Sequence, residues 1–272
     1  MSASLPSPQS LHREWRRFTP VERFGRYAVY LLTVAGVVWA ARSVEVIPEF
    51  LVDAPAQTVD LFQRMWPFDW AHYRKEVHAA LIETIHIATL GTLMSIALAV
   101  PIALLAARNI TTSKTLNVLA TFLLVTSRSV NSLIWALLFV AVFGPGALAG
   151  VLAIGFRSIG FVGKLLAEAL EETPKGPIEA LSATGAPPLS ILSKGYWPFV
   201  EPSFWGIALF RWDINIRESA VLGLVGGGGI GVALDTAMSN LYWDQVGLIL
   251  AVIFAVVIVT EIVTSAIRSR II

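Results

Sequence analysis

The sequence contains no cysteine, and this absence removes several kinds of chemistry at once. A disulfide, a thiol nucleophile and a zinc–thiolate site all need the cysteine sulfur. Only four histidines are present, His12, His72, His78 and His86, and all lie in the first third of the chain. His78, Glu83 and His86 do not have the H-E-x-x-H spacing, so they predict polar contacts near a helix end rather than a metal site.

Charge is also scarce, since 14% of the residues are charged and the net charge is +1. Soluble domains usually carry about 25% charged residues, so this composition indicates a chain in contact with membrane lipid. A nucleic-acid-binding protein would need a basic face, which this charge balance argues against. The patterns G-x-S-x-G and G-x-x-x-x-G-K-[ST] are both missing. We therefore predict no enzyme and no cofactor in this chain; any ATP and Mg²⁺ would be bound by a partner ATPase.

Long apolar runs dominate what is present, and each is close to the roughly 20 residues that cross the hydrocarbon core. A basic segment at 1–26 precedes the first run at 27–41. We predict that this run is an uncleaved first span; a cleaved signal peptide is the alternative. The other runs lie at about 79–107, 116–143, 148–170, 199–224 and 245–267. The pattern predicts an all-α integral membrane protein with about six transmembrane helices. We divide it into a cytoplasmic segment 1–26, a first helix and periplasmic loop 27–78, and a membrane domain 79–268.

Lysine and arginine in the loops predict the orientation, because they collect on the cytoplasmic side. With a cytoplasmic N-terminus and six spans, eleven basic residues lie inside and four outside. The inside set is Arg13, Arg16, Arg17, Arg23, Arg26, Arg108, Lys114, Lys175, Lys194, Arg268 and Arg270; the outside set is Arg42, Arg64, Arg74 and Lys75. Both termini and the loop at 175–198 are therefore predicted to be cytoplasmic.

The run at 199–224 is the most polar of the predicted spans. On a helix, Arg211 and Asn215 share one face, while Asp213 and Arg217 form a second i,i+4 pair. A charged group at mid-membrane costs on the order of 2.5–3.5 kcal/mol, so such groups usually pair or face a water path. An ion pair that locks helices or subunits together and a translocation path both remain possible readings.

Other spans also carry positive charge. The run at 116–143 has a polar interruption at 126–132, and within the membrane such a break is tolerated only where it faces protein or water. If Arg128, Arg157 and Lys164 line a shared cavity, the passage would favour an anion. The alternative for Arg128 is a position at a helix break near a surface. Lys164 is predicted to reach the cytoplasmic interface instead. The predicted path or gate comprises Arg128, Asn131, Ser132, Arg157, Arg211, Asp213, Asn215, Arg217 and Glu218.

A glycine cluster at 226–231 formally satisfies G-x-G-x-x-G. A dinucleotide site would also need a preceding strand in a βαβ unit, and a membrane run precedes the cluster here. We therefore predict a re-entrant or extracellular turn where the backbone approaches closely. The predicted hinge glycines are Gly226, Gly228, Gly229 and Gly231.

The loop at 179–198 has unusual helix-forming content. Residues 179–184 can start a helix, Gly185 allows the backbone to turn, and Pro187 and Pro188 can open a second short helix. Leu189, Ile191 and Leu192 would give that second helix one apolar face. Such a helix either lies on lipid or docks a soluble partner.

The spacing within this loop resembles the EAA loop of ATP-binding-cassette importer permeases. Glu179 and Ala180 are followed by Gly185 six positions after the glutamate and by Pro198 nineteen after it. Leu181 stands where that motif has its second alanine. The resemblance implies that this loop is the coupling helix, which fits a groove on the ATPase.

A more specific resemblance covers about 79–268. Its segments are Arg128-Ser129-Val130, 134–137, 159–165, Glu168-Ala169, 214–217, 221–226 and 228–231, and they are similar to the phosphonate-importer permease family. The resemblance implies a type I ATP-binding-cassette importer (MetI-like) permease fold in the bacterial inner membrane. It also implies a second copy of the permease, two ATP-binding subunits and a periplasmic phosphonate- or phosphite-binding protein.

One departure from the family concerns Asn131-Ser132, where the family often has Pro-Glu. We hypothesise that the missing acid suits a smaller or differently charged substrate, such as phosphite or hypophosphite. The expected function is thus a permease subunit that imports a phosphorus oxyanion. A stand-alone secondary anion carrier or channel is the alternative, and the missing catalytic residues argue against an enzyme acting on lipid phosphate.

Overall fold

The computed structural model describes residues 18–44 and 48–271, and every regular element among them is helical. Much of the predicted basic segment, including Arg13, Arg16 and Arg17, lies outside the described residues. The α-helices are α1 (Pro20–Ser43), α2 (Pro48–Met65), α3 (Trp70–His72), α4 (His78–Ala106), α5 (Lys114–Ser129), α6 (Ser132–Phe143), α7 (Ala147–Glu171), α8 (Lys175–Ala183), α9 (Pro188–Ile191), α10 (Trp197–Leu222), α11 (Ile230–Ser239) and α12 (Trp243–Ile271). Short π-helical segments at Tyr73–Val77 and Leu192–Tyr196 and a 3₁₀ turn at Gly223–Val225 connect some of them.

The chain divides into two units, Met1–Thr58 and Val59–Ile272. In the first unit, α1 begins with a capping box: Glu22 N donates to Thr19 Oγ1 over 3.4 Å, and Thr19 N donates to Glu22 Oε2 over 2.9 Å. The side chains of α1 are exposed and mostly apolar. Such a helix suits lipid or a protein partner better than water.

Four helical stretches among the described residues are long and apolar enough to cross a membrane: Val21–Ser43, Trp70–Ala106, Ala147–Glu171 and Trp243–Arg270. Two bent helix pairs raise the number to six if each pair is one span. The predicted apolar runs thus correspond to helices, with ends that move by a few residues. The stretch 42–77, predicted as part of a loop, is largely helical where it is described.

The predicted polar interruption at 126–132 is a true helix break, since α5 and α6 meet at 91°. Asn131 explains where the chain restarts, because its side chain accepts a hydrogen bond from Leu133 N over 3.1 Å. A side-chain oxygen at this position satisfies a backbone donor that the first turn of a helix leaves free.

The core of the second unit is the parallel contact of α4 with α7, against which α10 packs. Small residues allow the backbones of α4 and α7 to approach each other closely. A Cβ added at Gly91 on α4 would lie 2.9 Å from Ile154 Cγ2 and 3.2 Å from the Val151 carbonyl oxygen on α7. Close contact through glycine and alanine is typical of helices that associate within a membrane. It places the middle of α10 beside both helices.

Candidate functional site

Four buried polar side chains join the middles of α4, α7 and α10. Asn215 Nδ2 donates to Thr92 Oγ1 over 2.7 Å, and Ser158 Oγ donates to Asn215 Oδ1 over 3.2 Å. Arg211 Nε donates to the same Ser158 hydroxyl over 2.8 Å. We call Thr92, Ser158, Arg211 and Asn215 the polar seam. The prediction that Arg211 and Asn215 share one face is confirmed, since both meet Ser158.

The guanidinium of Arg211 also belongs to a charged cluster. Glu218 accepts a hydrogen bond from Arg157 Nη1 at Oε1 and one from Arg211 Nη2 at Oε2, the latter over 3.3 Å. The side chain of Arg211 is 3% exposed, that of Glu218 19% and that of Arg157 28%. Buried charges need such partners, because an isolated one is strongly destabilising. We call Arg157 and Arg211 the two-arginine fork.

A cavity of about 380 Å³ opens beside this fork. Its lining residues are Val125, Arg128, Ser129, Arg157, Phe161 and Arg211. The guanidinium of Arg211 lies 5.4 Å from the centre of the Phe161 ring, a cation–π contact that supports it from the α7 side. Arg128 and Arg157, two of the three basic residues for which a shared cavity was hypothesised, therefore line one cavity together with Arg211, whereas Lys164 does not line it.

Charge in this cavity is unbalanced. Arg128, Arg157 and Arg211 carry three positive charges, and Glu218 supplies one negative charge. Among the described residues, Arg128 has no ion-pair partner. A water-accessible space lined by guanidinium groups attracts anions and provides forked donors for their oxygens.

Asp213 and Arg217 form the predicted i,i+4 pair, but they do not line this cavity. Arg217 Nη2 also donates to Glu261 Oε2 over 3.1 Å, so it links α10 to α12. Asp213 is buried, and its Oδ1 has no hydrogen-bond partner. These contacts favour the reading in which this pair locks two helices together.

Asn131 and Ser132 also remain outside the cavity lining. Asn131 caps α6, as described above, and the Ser132 hydroxyl lies 3.3 Å from Asn131 Oδ1. Lys164 pairs with Glu168 over 3.0 Å on a half-buried face of α7 and does not line the cavity. Among the described residues, no three His, Asp or Glu side chains gather as a metal site.

The glycine cluster makes the close backbone approach that the sequence predicted. Gly226, Gly228 and Gly229 have φ values of +85°, +80° and +72°, a left-handed conformation that favours glycine. A Cβ at Gly231 would lie 2.7 Å from Gly223 Cα, so this position is tightly packed. Ile230 N donates to Thr84 Oγ1 over 2.7 Å and ties the cluster to α4.

The predicted coupling loop is a helix–turn–helix. Gly185 has a φ of +74°, which allows the chain to turn between α8 and α9. The second helix begins at Pro188, and Pro198 lies in the first turn of α10. Glu179 and Ala180 are exposed on α8.

The predicted apolar face of α9 is divided between two surroundings. Ile191 and Leu192 pack against the core cluster that contains buried Tyr196. Leu189 is 76% exposed and projects away from that core. The loop is thus anchored to the second unit on one side and presents an apolar side chain on the other.

Thr92, Ser158 and Phe161 were missed as site residues. A threonine or a serine in an apolar run gives no sequence signal of its own, because such residues often bond their own helix backbone. Thr92 and Ser158 make that ordinary bond too, to Ala88 and Ile154 respectively. Their contacts with Arg211 and Asn215 can be seen only in the folded structure, because those two residues lie on α10.

Comparison with known proteins agrees with this arrangement. Residues 99–271 match the family model described as binding-protein-dependent transport system inner membrane component. The phosphite transport system permease protein PtxC of Stutzerimonas stutzeri is 39% identical over 204 residues, covering 75% of this chain and 74% of that protein. The phosphate-import permease protein PhnE of Mycolicibacterium smegmatis is 37% identical over 229 residues, covering 84% of this chain and 43% of that protein.

Solved structures confirm the fold class. The MetNI methionine transporter in an inward-facing conformation gives a TM-score of 0.61 at 19% identity, covering 72% of this chain and 96% of that chain. A bacterial transporter that imports alginate gives a TM-score of 0.58 at 14% identity, covering 92% and 98%. The chain therefore belongs to the family of binding-protein-dependent transport system inner membrane components, the permease subunits of ATP-binding-cassette importers.

Proposed function

We propose that this permease moves a phosphorus oxyanion, namely a phosphonate, phosphite or hypophosphite, from the periplasm to the cytoplasm. The observation that carries the proposal is the cavity lined by Arg128, Arg157 and Arg211. Guanidinium groups form charge-assisted hydrogen bonds, often in pairs, with tetrahedral oxyanions of phosphorus. The names of the two relatives above, a phosphite and a phosphate permease, support the same ligand class.

The position of the cavity along the helices suits a transport path. Arg211, which lines the cavity, lies 14 residues from the start of α10 and 11 from its end. At 1.5 Å per residue, that places it about 21 Å and about 17 Å from the two ends of the helix. Importers of many kinds bind their cargo near the midplane and change the side from which it is accessible.

Motion would be supplied by partners. Two ATP-binding subunits would bind ATP and Mg²⁺ and receive α8 and α9, with Glu179, Ala180, Gly185 and Leu189 at the contact. A second copy of the permease would complete the path, and a periplasmic binding protein would deliver the anion. This arrangement requires the loop at 175–198 to be cytoplasmic, as the distribution of Lys and Arg predicts, together with both termini.

Uptake by proteoliposomes that hold the complete transporter tests the proposal. Phosphite, hypophosphite, methylphosphonate and phosphate would be compared with sulfate, a tetrahedral anion without phosphorus. We expect ATP-dependent uptake of at least one phosphorus anion and none of sulfate. Uptake that follows an ion gradient without ATP would support the secondary carrier instead. Equal uptake of phosphite and methylphosphonate would remove the role hypothesised for Asn131-Ser132.

A further inference from the structure

Glu218 occupies the two-arginine fork as a bound anion would. Each of its carboxylate oxygens accepts from a different guanidinium, one on α7 and one on α10. The carboxylate therefore bridges two helices through the donors that a tetrahedral oxyanion would use. Glu218 itself does not line the neighbouring cavity, whereas both arginines do.

Arg211 is held in place independently of Glu218. Its Nε donates to Ser158, and the Phe161 ring lies beside its guanidinium. The Nε of Arg157 is buried and has no hydrogen-bond partner. If the carboxylate moved away, Arg211 would keep its position, and Arg157 Nη1 and Arg211 Nη2 would be left to donate to another anion.

We infer that Glu218 is a resident counter-ion that competes with the transported oxyanion for Arg157 and Arg211. Before cargo arrives, the carboxylate neutralises part of the cluster and keeps two buried guanidinium groups paired. An oxyanion entering the cavity takes over the two donors as Glu218 withdraws, and the return of Glu218 expels it. Because this role deepens the proposed function, it applies to the same phosphorus anions.

Competition from Glu218 would weaken the binding of the anion and speed its release. The apparent affinity of a site falls by the fraction of time for which it is available. If Glu218 occupies the fork about nine tenths of the time or more, removing its charge should tighten anion binding by about tenfold or more. Release should become slower, so that both KM and kcat for uptake fall.

The test uses the permease–ATPase complex in nanodiscs, without the binding protein, and phosphite as the titrant in calorimetry. Glu218→Gln should lower the Kd at least about tenfold relative to the unmodified complex. Glu261→Gln is the matched control, because it removes a carboxylate that also bonds an α10 arginine but lies away from the cavity. It should leave the Kd unchanged, and equal tightening in both variants would overturn the inference.

Glu218→Asp provides a second variant if Glu218→Gln fails to assemble. It keeps the charge but withdraws the carboxylate by one methylene, which should loosen its hold on the fork and lower the Kd several-fold. An unchanged or higher Kd in either assembled variant, with phosphite uptake by the unmodified protein intact, would overturn the role of Glu218 alone. If the unmodified transporter neither binds nor moves any of the four phosphorus anions, the proposed function falls together with this inference.

Discussion

The coupling segment, 175–198, and the polar seam are built in opposite ways. In the coupling segment the turn is closed over short range, as when Gly185 N donates to Ser182 O over 3.0 Å. In the seam, the bond from Arg211 to Ser158 spans 53 residues and that from Asn215 to Thr92 spans 123. The segment is mostly exposed, whereas the seam is buried. Damage to the segment should therefore stop function without unfolding the protein, whereas damage to the seam should lower stability and function together.

The substitution Gly185→Asp should have the largest effect on transport. A residue with a Cβ pays about 1–2 kcal/mol to adopt the left-handed conformation seen there, so the turn between α8 and α9 should change. We expect uptake and co-purification of the ATP-binding subunit to fall to background, while membrane insertion stays normal. Uptake assays and affinity purification from membranes measure these outcomes.

Gly176→Asp is the matched control for this change. Gly176 lies on α8, has no positive φ, and a Cβ there would meet nothing within 4 Å. It should retain most of the uptake. Retained uptake in Gly185→Asp would contradict the coupling role, and equal losses in both variants would show that added charge, not the turn, is responsible.

The substitution Gly231→Ala tests the place where the glycine cluster packs against α4 and α10. A new methyl group would collide with the backbone of Gly223 and with the Ala220 carbonyl, and neither can move as a side chain does. We expect a loss of about 1–3 kcal/mol or more in the free energy of unfolding. Thermal unfolding in detergent should show a lower Tm.

Gly36→Ala on α1 is the control, since no atom lies within 4 Å of a Cβ built there. It should leave the Tm unchanged or slightly raise it, because alanine favours helices more than glycine does. If Gly231→Ala also keeps a normal Tm, the glycine cluster is loose enough to act as the hinge predicted from the sequence, and burial there does not raise stability as it is expected to in the seam.

The sequence predicted the local features better than the distant contacts, for a physical reason. The turn at Gly185 and the helix start at Pro188 depend on residues only a few positions away, and they were predicted. The Arg157–Glu218 pair joins residues 61 positions apart, and no periodicity within one helix reveals it. Asn131 shows that one residue can fit two predictions, because an asparagine before an apolar run is also a common helix cap, and it caps α6 here.

The substitution Asn215→Leu tests the centre of the seam. It would remove two buried side-chain hydrogen bonds, from Asn215 to Thr92 and from Ser158 to Asn215, although Thr92 and Ser158 keep their bonds to backbone carbonyls. A typical hydrogen bond of this kind contributes about 0.5–1.5 kcal/mol. We expect a lower Tm together with reduced uptake. Asn240→Leu is the control: Asn240 is exposed and bonds only the Thr236 carbonyl, so its loss should cost less than about 0.5 kcal/mol. Equal shifts in Tm would mean that the seam contributes no more than a surface contact.

The smallest effect is expected for Lys164→Gln, which lies on α7 about two turns from Arg157. Its partner Glu168 is 3.0 Å away, and the two side chains are 36% and 47% exposed, so solvent screens the pair. Such pairs contribute about 0.5 kcal/mol or less, and neither uptake nor Tm should change measurably. Arg157→Gln on the same helix provides the contrast, because it leaves Glu218 with one partner in a mostly buried site and should lower both quantities. If Lys164→Gln abolishes uptake while the Tm stays constant, the region needed for transport extends beyond the cavity toward the C-terminal end of α7.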